Sequence, residues 1–415
     1  MGLSGRSIAA RTVSLLTDGY GWLPDAMRRG GGAPVTVRLV GKKAVALRGP
    51  DAVEFFYDEK NVRRDKAVPE PVVSTLFGYG AVHTLDGDAH AVRKAMFLSL
   101  LTDPARVSGL VGDVAAAWDD AAGTWPARSQ IVLFDEAAAI LTAGVHRWAG
   151  VPLEDTQTVP VARDLLAMVD GFATLGPRHW RARLARGRQE ARLAGLVEQV
   201  RAGTVAVPDE SAVAAVAGHR DAGGRLLDAR TAAVELLNIV RPTVAVSWFV
   251  AFAAHAMHRW PDQKETLRTG DPRAATAFAH EVRRFYPFAP FSGGRAAADV
   301  SYRETAIPAG SMVLLDLYGQ NHDPALWGDP YAFRPQRFLD HPADPDELIP
   351  QGGGPATGHR CPGEPATVGL LETLSIRLAR LDYDVPQQRV DISLRRIPAR
   401  PRSGFVITDV RQTAP

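Results

Sequence analysis

Cysteine occurs once in the 415 residues, at position 361, and its neighbours decide what it can do. It sits in Gln351-Gly352-Gly353-Gly354-Pro355-Ala356-Thr357-Gly358-His359-Arg360-Cys361-Pro362-Gly363-Glu364. Three glycines, a proline and a further glycine cannot form a helix or strand interior, so this is a loop that comes close to something. The run Ala366-Thr367-Val368-Gly369-Leu370-Leu371-Glu372 then reads as a helix. Cys361 therefore lies at a helix mouth, where the dipole and free N–H groups favour a thiolate, and His359 and Arg360 add positive charge. Three chemistries compete. A phosphate cradle would require Lys-Ser or Lys-Thr after the glycines, and neither follows. A nucleophilic thiol would need a histidine base and an orienting partner, which spacing alone does not exclude. The third is an axial thiolate for haem iron.

A second chemical feature is a charge in an apolar run. Glu235-Leu236-Leu237-Asn238-Ile239-Val240-Arg241-Pro242-Thr243-Val244-Ala245-Val246-Ser247-Trp248 reads as a helix interrupted by Arg241-Pro242. A proline inside a helix costs roughly 3 kcal/mol and frees a carbonyl. A buried arginine must be paired, either with an Asp or Glu elsewhere or with a substrate carboxylate through two parallel hydrogen bonds. A cationic anchor in an apolar channel suits a fatty acid, its head at Arg241 and its tail along aliphatic walls.

Elements that position these groups are visible around them. Val35 to Val40 alternates like a half-buried strand, and Gly41-Lys42-Lys43 turns into Ala44-Val45-Ala46-Leu47. From Asp86 to about Ile307 the pattern is mostly helical, broken at prolines such as Pro104, Pro126, Pro177 and Pro261. Short strands such as Ser311 to Leu315 return in the last third. The expected architecture is one mainly α domain, residues 1–415, with small β portions. Its parts are a β-containing region at about 30–85, a helical body at about 86–300 and a ligand loop with its approach at about 300–415.

A formal net charge of +2 argues against a nucleic-acid-binding surface. Six arginines between Arg178 and Arg192 read as a solvated helix face or loop. The stretch from Met1 to Asp18 carries no apolar leader core, and Met1 to Arg6 carries no lipidation signal. The most apolar run, Thr243 to Ala254, is short of the ~18 residues a membrane span needs. A lone cysteine leaves no internal disulfide, and a cytoplasmic location is expected.

The cysteine loop resembles the ligand loop of the cytochrome P-450 superfamily, and further segments resemble it in the expected order. Glu281-Val282-Arg283-Arg284 matches its Glu-x-x-Arg motif, with Arg337 as third member of the network. Ile307-Pro308-Ala309-Gly310 matches its turn, and Asn321 through Phe338 its meander. The resemblance implies the P-450 fold and haem b with Cys361 on iron. For the propionates it implies Arg64, His90, Lys94, Arg295 and His359, with Arg93 pointing aside. Most members carry an acid–alcohol pair where Arg241-Pro242 stands here. That substitution, and Gly354 where a Phe is usual, resemble the fatty-acid peroxygenase branch. Membership implies hydrogen peroxide as co-substrate, a fatty acid bound by Arg241, and no obligatory redox partner. Phe77 and His83, in Leu76-Phe77-Gly78-Tyr79-Gly80-Ala81-Val82-His83, match the members that form terminal alkenes. Mixed products are expected: 2- and 3-hydroxy acids together with a 1-alkene. Phe172, Phe288, Pro290 and Phe291 are the expected channel wall. The alternatives are a redox-partner-dependent P-450 monooxygenase acting on another small carboxylic acid, a haem carrier without turnover, and a cysteine hydrolase without haem.

Overall fold

Alternating apolar and polar residues build the first strand pair, β1 (Val35–Leu39) and β2 (Lys42–Leu47), an antiparallel hairpin with Val35 opposite Ala46. The structure is a computed structural model and describes residue 15 and residues 17–412, apart from 40, 173 and 175. Met1 to Arg6 and Val40 lie outside the described residues. Further strands are β3 (Val62–Arg63), β4 (Ile131–Val132), β5 (Ser292–Ala296), β6 (Val300–Tyr302), β7 (Thr305–Ile307), β8 (Met312–Leu315), β9 (Leu381–Asp384) and β10 (Val406–Gln412). The β portions expected at opposite ends of the chain share one sheet of order β1-β2-β8-β5-β3. β2 and β8 pair in parallel, Ala44 beside Met312, because Ala46, Leu47, Leu314 and Leu315 are buried on both strands.

The principal helices are α1 (Gly87–Leu101), α2 (Pro104–Ala122), α3 (Leu133–Ala149), α4 (Asp155–Gly171), α5 (Pro177–Arg201), α6 (Ala229–Val244), α7 (Val246–Arg259), α8 (Pro272–Phe285) and α9 (Glu364–Ala379). Proline at the first turn and an aspartate cap mark two starts, Asp103 before α2 and Asp271 before α8. The helical body ends at Phe285, earlier than the sequence pattern placed it. Pro287 and Pro290 cannot continue a helix, and Ser292 onward is taken into the sheet.

Helices α6 and α7 run almost end to end through the core. The combined 31-residue stretch is long and apolar enough to cross a bilayer, further than Thr243 to Ala254 had indicated. However, 94% of its apolar window is buried inside the protein, the pattern of a core helix. The arginine-rich segment is α5, and a purely solvated face is corrected at one position. Arg186 is 2% exposed, ion-paired with Glu190 at 2.6 Å.

Arg284 closes the last third onto the bundle. It is fully buried, meets both oxygens of Glu281 at 2.8 Å, and donates to the Asn321 and Pro330 carbonyls at 2.9 Å. Arg337 joins at 3.1 Å from Glu281, as its place in the meander implied. Such a pair is retained only where every charge is met, and here the carbonyls complete the guanidinium's shell.

Candidate active site

Helices α1, α6, α7 and α9, with the loop before α9, enclose a cavity of about 340 Å³. Cys361 opens onto it three residues before α9, its N–H donating to the Gln351 carbonyl at 3.3 Å. The Gln351 amide lies 3.7 Å from the sulfur and donates to Thr367 Oγ1 at 3.1 Å. Its oxygen accepts from Arg283 Nε at 3.1 Å, and Arg283 in turn pairs with Glu364. Sequence reasoning saw Gln351 in the loop but not its grip on the thiol, and it missed fully buried Arg283 altogether. Gly354 needs its left-handed φ of 74° and its bareness, since a Cβ would stand 2.8 Å from that of Tyr57.

The charge expected around Cys361 is differently spent. Arg360 pairs with Glu364 at 2.6 Å, and His359 Nε2 sits 3.4 Å from both Glu59 and Asp86. Burial pushes the Cys361 thiol up, while the Gly363 N–H pulls the other way. A coordinated metal, rather than the protein's own charges, is what ionises a thiol in such a place. Among the described residues, no histidine is within hydrogen-bonding reach of the sulfur, so a hydrolase dyad is absent.

Arg241 is 5% exposed and lines the cavity from α6, with Pro242 beside it. Among the described residues its single hydrogen bond is a long one, Nη2 to Asn238 Oδ1 at 3.5 Å, and its buried Nε has no partner. Among the described residues no carboxylate neutralises it, which removes the buried-salt-bridge reading. Burial and then Arg186 push its pKa down to about 9. An under-bonded guanidinium facing an apolar cavity is a ready seat for an anion.

Phe77 and His83 face the same space. Their rings stack with centroids 4.2 Å apart and planes 19° from parallel, and His83 Nδ1 is buried without a partner. Burial, and after it Arg241, hold His83 well below the usual histidine range, so its ring is neutral.

The other expected residues divide. His90 and Lys94 line the cavity one turn apart on α1, and Arg93 turns aside to Glu235 at 2.6 Å. His359 stacks on His90 at 3.9 Å. Arg64 is placed behind the wall, its guanidinium 4.2 Å over Phe56, with Nη2 buried and unpartnered. Arg295 is drawn off by the Lys66 carbonyl at 2.8 Å and does not line the cavity, because β5 pairing with β3 aims it outward. Phe172, Phe288 and Phe291 line the wall; Pro290 does not, its carbonyl being held by the Tyr318 N–H at 3.1 Å. Val169, Ile239, Val246 and Phe249 also line it. They looked like ordinary core in the sequence.

This constellation fits a haem. One cysteine faces an apolar slot walled by Leu101, Ala245, Val246 and Ala366. His90 and Lys94 line it, Lys94 also donating to the Arg360 carbonyl, and Arg64 keeps an orphaned nitrogen nearby, groups suited to propionate oxygens.

Comparison with known proteins agrees. A family model described as Cytochrome P450 matches residues 274–404. Cytochrome P450 71A8 of Mentha piperita is 31% identical over 128 residues, 29% of this chain and 25% of that protein. Cytochrome P450 1A1 of Rattus norvegicus is 30% identical over 174 residues, 36% of this chain and 32% of that protein. These matches span only about a quarter to a third of the curated relatives' length. Solved structures extend further. Cytochrome P450SP alpha in complex with (R)-ibuprophen is 41% identical with a TM-score of 0.93, covering 96% of this chain and 98% of its own. Ligand-free cytochrome P450 OleT is 35% identical with a TM-score of 0.95, covering 98% of both chains. A variant of OleT in complex with arachidonic acid is 34% identical with a TM-score of 0.94, covering 98% of this chain and 97% of its own. The fold and the cysteine-faced slot define a haem-thiolate protein. The chain belongs to the cytochrome P450 superfamily and, within it, to the fatty-acid peroxygenase branch.

Proposed function

We propose that this chain oxidises fatty acids with hydrogen peroxide at the carbons next to the carboxyl group. It releases 2- and 3-hydroxy acids by hydroxylation and a terminal alkene by oxidative decarboxylation. The observation that carries the reading is Arg241: a buried guanidinium with no carboxylate partner among the described residues, facing the cavity onto which Cys361 opens. The ligands in the two related complexes support the substrate class, since arachidonic acid and (R)-ibuprophen both carry a carboxylate beside an apolar body.

Haem, when bound by Cys361, supplies the oxidising iron, and thiolate donation favours O–O cleavage of a peroxide. The protein's residues do the rest. Arg241 takes the carboxylate in a two-point grip and so fixes the α and β carbons nearest the reacting centre. Phe172, Phe249, Phe288 and the aliphatic wall exclude water and hold the tail. The gripped carboxylate stands where other family members keep their acid–alcohol pair, and it moves the peroxide proton in their place. Its charge offsets that of Arg241 on His83, the smaller of the two main causes that hold the imidazole neutral, burial being the larger. Phe77 keeps that ring flat against the cavity. His90, Lys94 and Arg64 are assigned to the propionates. No electron-transfer partner is required, and a lone metal-bound cysteine suits the reducing cytoplasm.

The test is haem-loaded protein with peroxide and a long-chain acid, without any reductase, products read by gas chromatography. Hydroxy acids and alkene are expected. Turnover only with a ferredoxin and its reductase would overturn the reading in favour of a conventional monooxygenase.

A further inference from the structure

Arg186 lies outside the cavity, yet it touches the backbone that carries the cavity's most consequential ring. From α5, Nη1 donates to the Leu76 carbonyl at 2.7 Å and Nη2 to the Phe77 carbonyl at 2.8 Å. Its third arm, Nε, is held by Glu190 at 2.6 Å, and the side chain is buried. The Phe77 carbonyl accepts a second donor, Asn238 Nδ2 at 2.9 Å, and the same Asn238 offers Oδ1 to Arg241. Gly78 completes the clamp: at φ 86°, a Cβ there would stand 2.2 Å from Arg186 Nη2. One carbonyl is thus shared between a buried arginine on α5 and the residue that steadies the carboxylate seat on α6.

We propose that Arg186 is a positioning residue that sets the partition between decarboxylation and hydroxylation, by clamping the Leu76–Phe77 backbone so that the Phe77–His83 stack keeps its register with Arg241. The inference rests on the reading that acids seat at Arg241. A planar fork satisfying two consecutive carbonyls fixes direction as well as distance, which a single-point donor cannot do. If the clamp slackens, Phe77 moves, His83 loses its stacking surface, and Asn238 is freed from the shared carbonyl.

The test compares wild type with Arg186→Met and Arg186→Lys, each haem-loaded, with peroxide and one long-chain acid. Three readouts are taken: the alkene-to-hydroxy-acid ratio, the acid's Kd by calorimetry, and Tm. Arg186→Met should change the product ratio by about threefold or more and weaken acid binding by a similar factor. Arg186→Lys, which keeps the charge but not the fork, should fail to restore the ratio. General loss of stability lowers Tm and all products together but leaves their ratio alone. Should Arg186→Met not fold, Arg186→Met with Glu190→Gln, which leaves no unpaired acid, carries the same test. Folded variants with the wild-type ratio and Kd would overturn the proposal. Absence of acid oxidation in the wild type would instead overturn the functional reading on which it rests.

Discussion

Replacing Arg241 by leucine separates binding from stability, and the structure gives both signs. Losing one partner of a buried charge pair costs about 3–5 kcal/mol, because the other charge stays desolvated. At about 1.4 kcal/mol per decade, the acid's Kd should rise by roughly two to three and a half orders of magnitude. Without substrate the effect reverses. Burial, then Arg186, hold the guanidinium near 9 against an ordinary value of 12.5, so the fold disfavours its charged form. That penalty is fully present at neutral pH and disappears only as the solution passes 9 and approaches the unfolded value. A leucine there removes a charge with one weak hydrogen bond and adds apolar contact. The acid-free, haem-loaded Arg241→Leu protein should therefore melt a few degrees higher, while peroxide-driven acid oxidation collapses. Calorimetric titration with a long-chain acid and thermal melts with and without it measure both arms. A Kd within about threefold of wild type, or a lower Tm without acid, would refute the reasoning.

Other expectations follow from the same geometry. His83→Gln should shift products toward hydroxy acids, read by gas chromatography; an unchanged ratio removes His83 from the partition. Glu281→Gln strands fully buried Arg284 beside Arg337 and should cost about 3–5 kcal/mol in urea unfolding, and a loss under 1 kcal/mol would contradict the network's weight. His146, His255, His280 and His322 are each held down to about 4, chiefly by burial. Their folded values lie below the unfolded one, so the unfolded chain takes up protons that the fold refuses. Stability should be full above about pH 6.5 and fall below it by up to roughly 5 kcal/mol per pH unit. Denaturant midpoints from pH 7.5 to 5 check this, and a flat profile would show these rings to be solvated.

Chemistry that depends on neighbours in the chain was legible before any coordinates. The Cys361 loop, the Glu281–Arg284 pair and Arg241-Pro242 are local patterns, each readable within a short stretch of chain. Chemistry that depends on distant returns was not. Arg186 belongs to a helix whose neighbouring arginines Arg183 and Arg188 are exposed, and nothing in their spacing says that residues 76 and 77 fold back onto it. Arg295 looked suited to a propionate until strand pairing turned it toward Lys66, and Pro290 to the channel until Tyr318 claimed its carbonyl. Charge near Cys361 was read as free because Glu59 and Asp86 are brought to His359 from far away in the sequence, whereas the pairing of Arg360 with Glu364 is local and was overlooked. The strands near both ends of the chain were read without the knowledge that β2 and β8 join them, and β5, at Ser292–Ala296, fell inside the expected helical body.

The central assignment is the sulfur of Cys361 on haem iron, and the carbon monoxide spectrum of the reduced, haem-loaded protein tests it most directly. A Soret band at the thiolate position, lost in Cys361→His, is the predicted result. A band at the imidazole position in the native protein, or a native protein that stays colourless after haem supplementation, would contradict it.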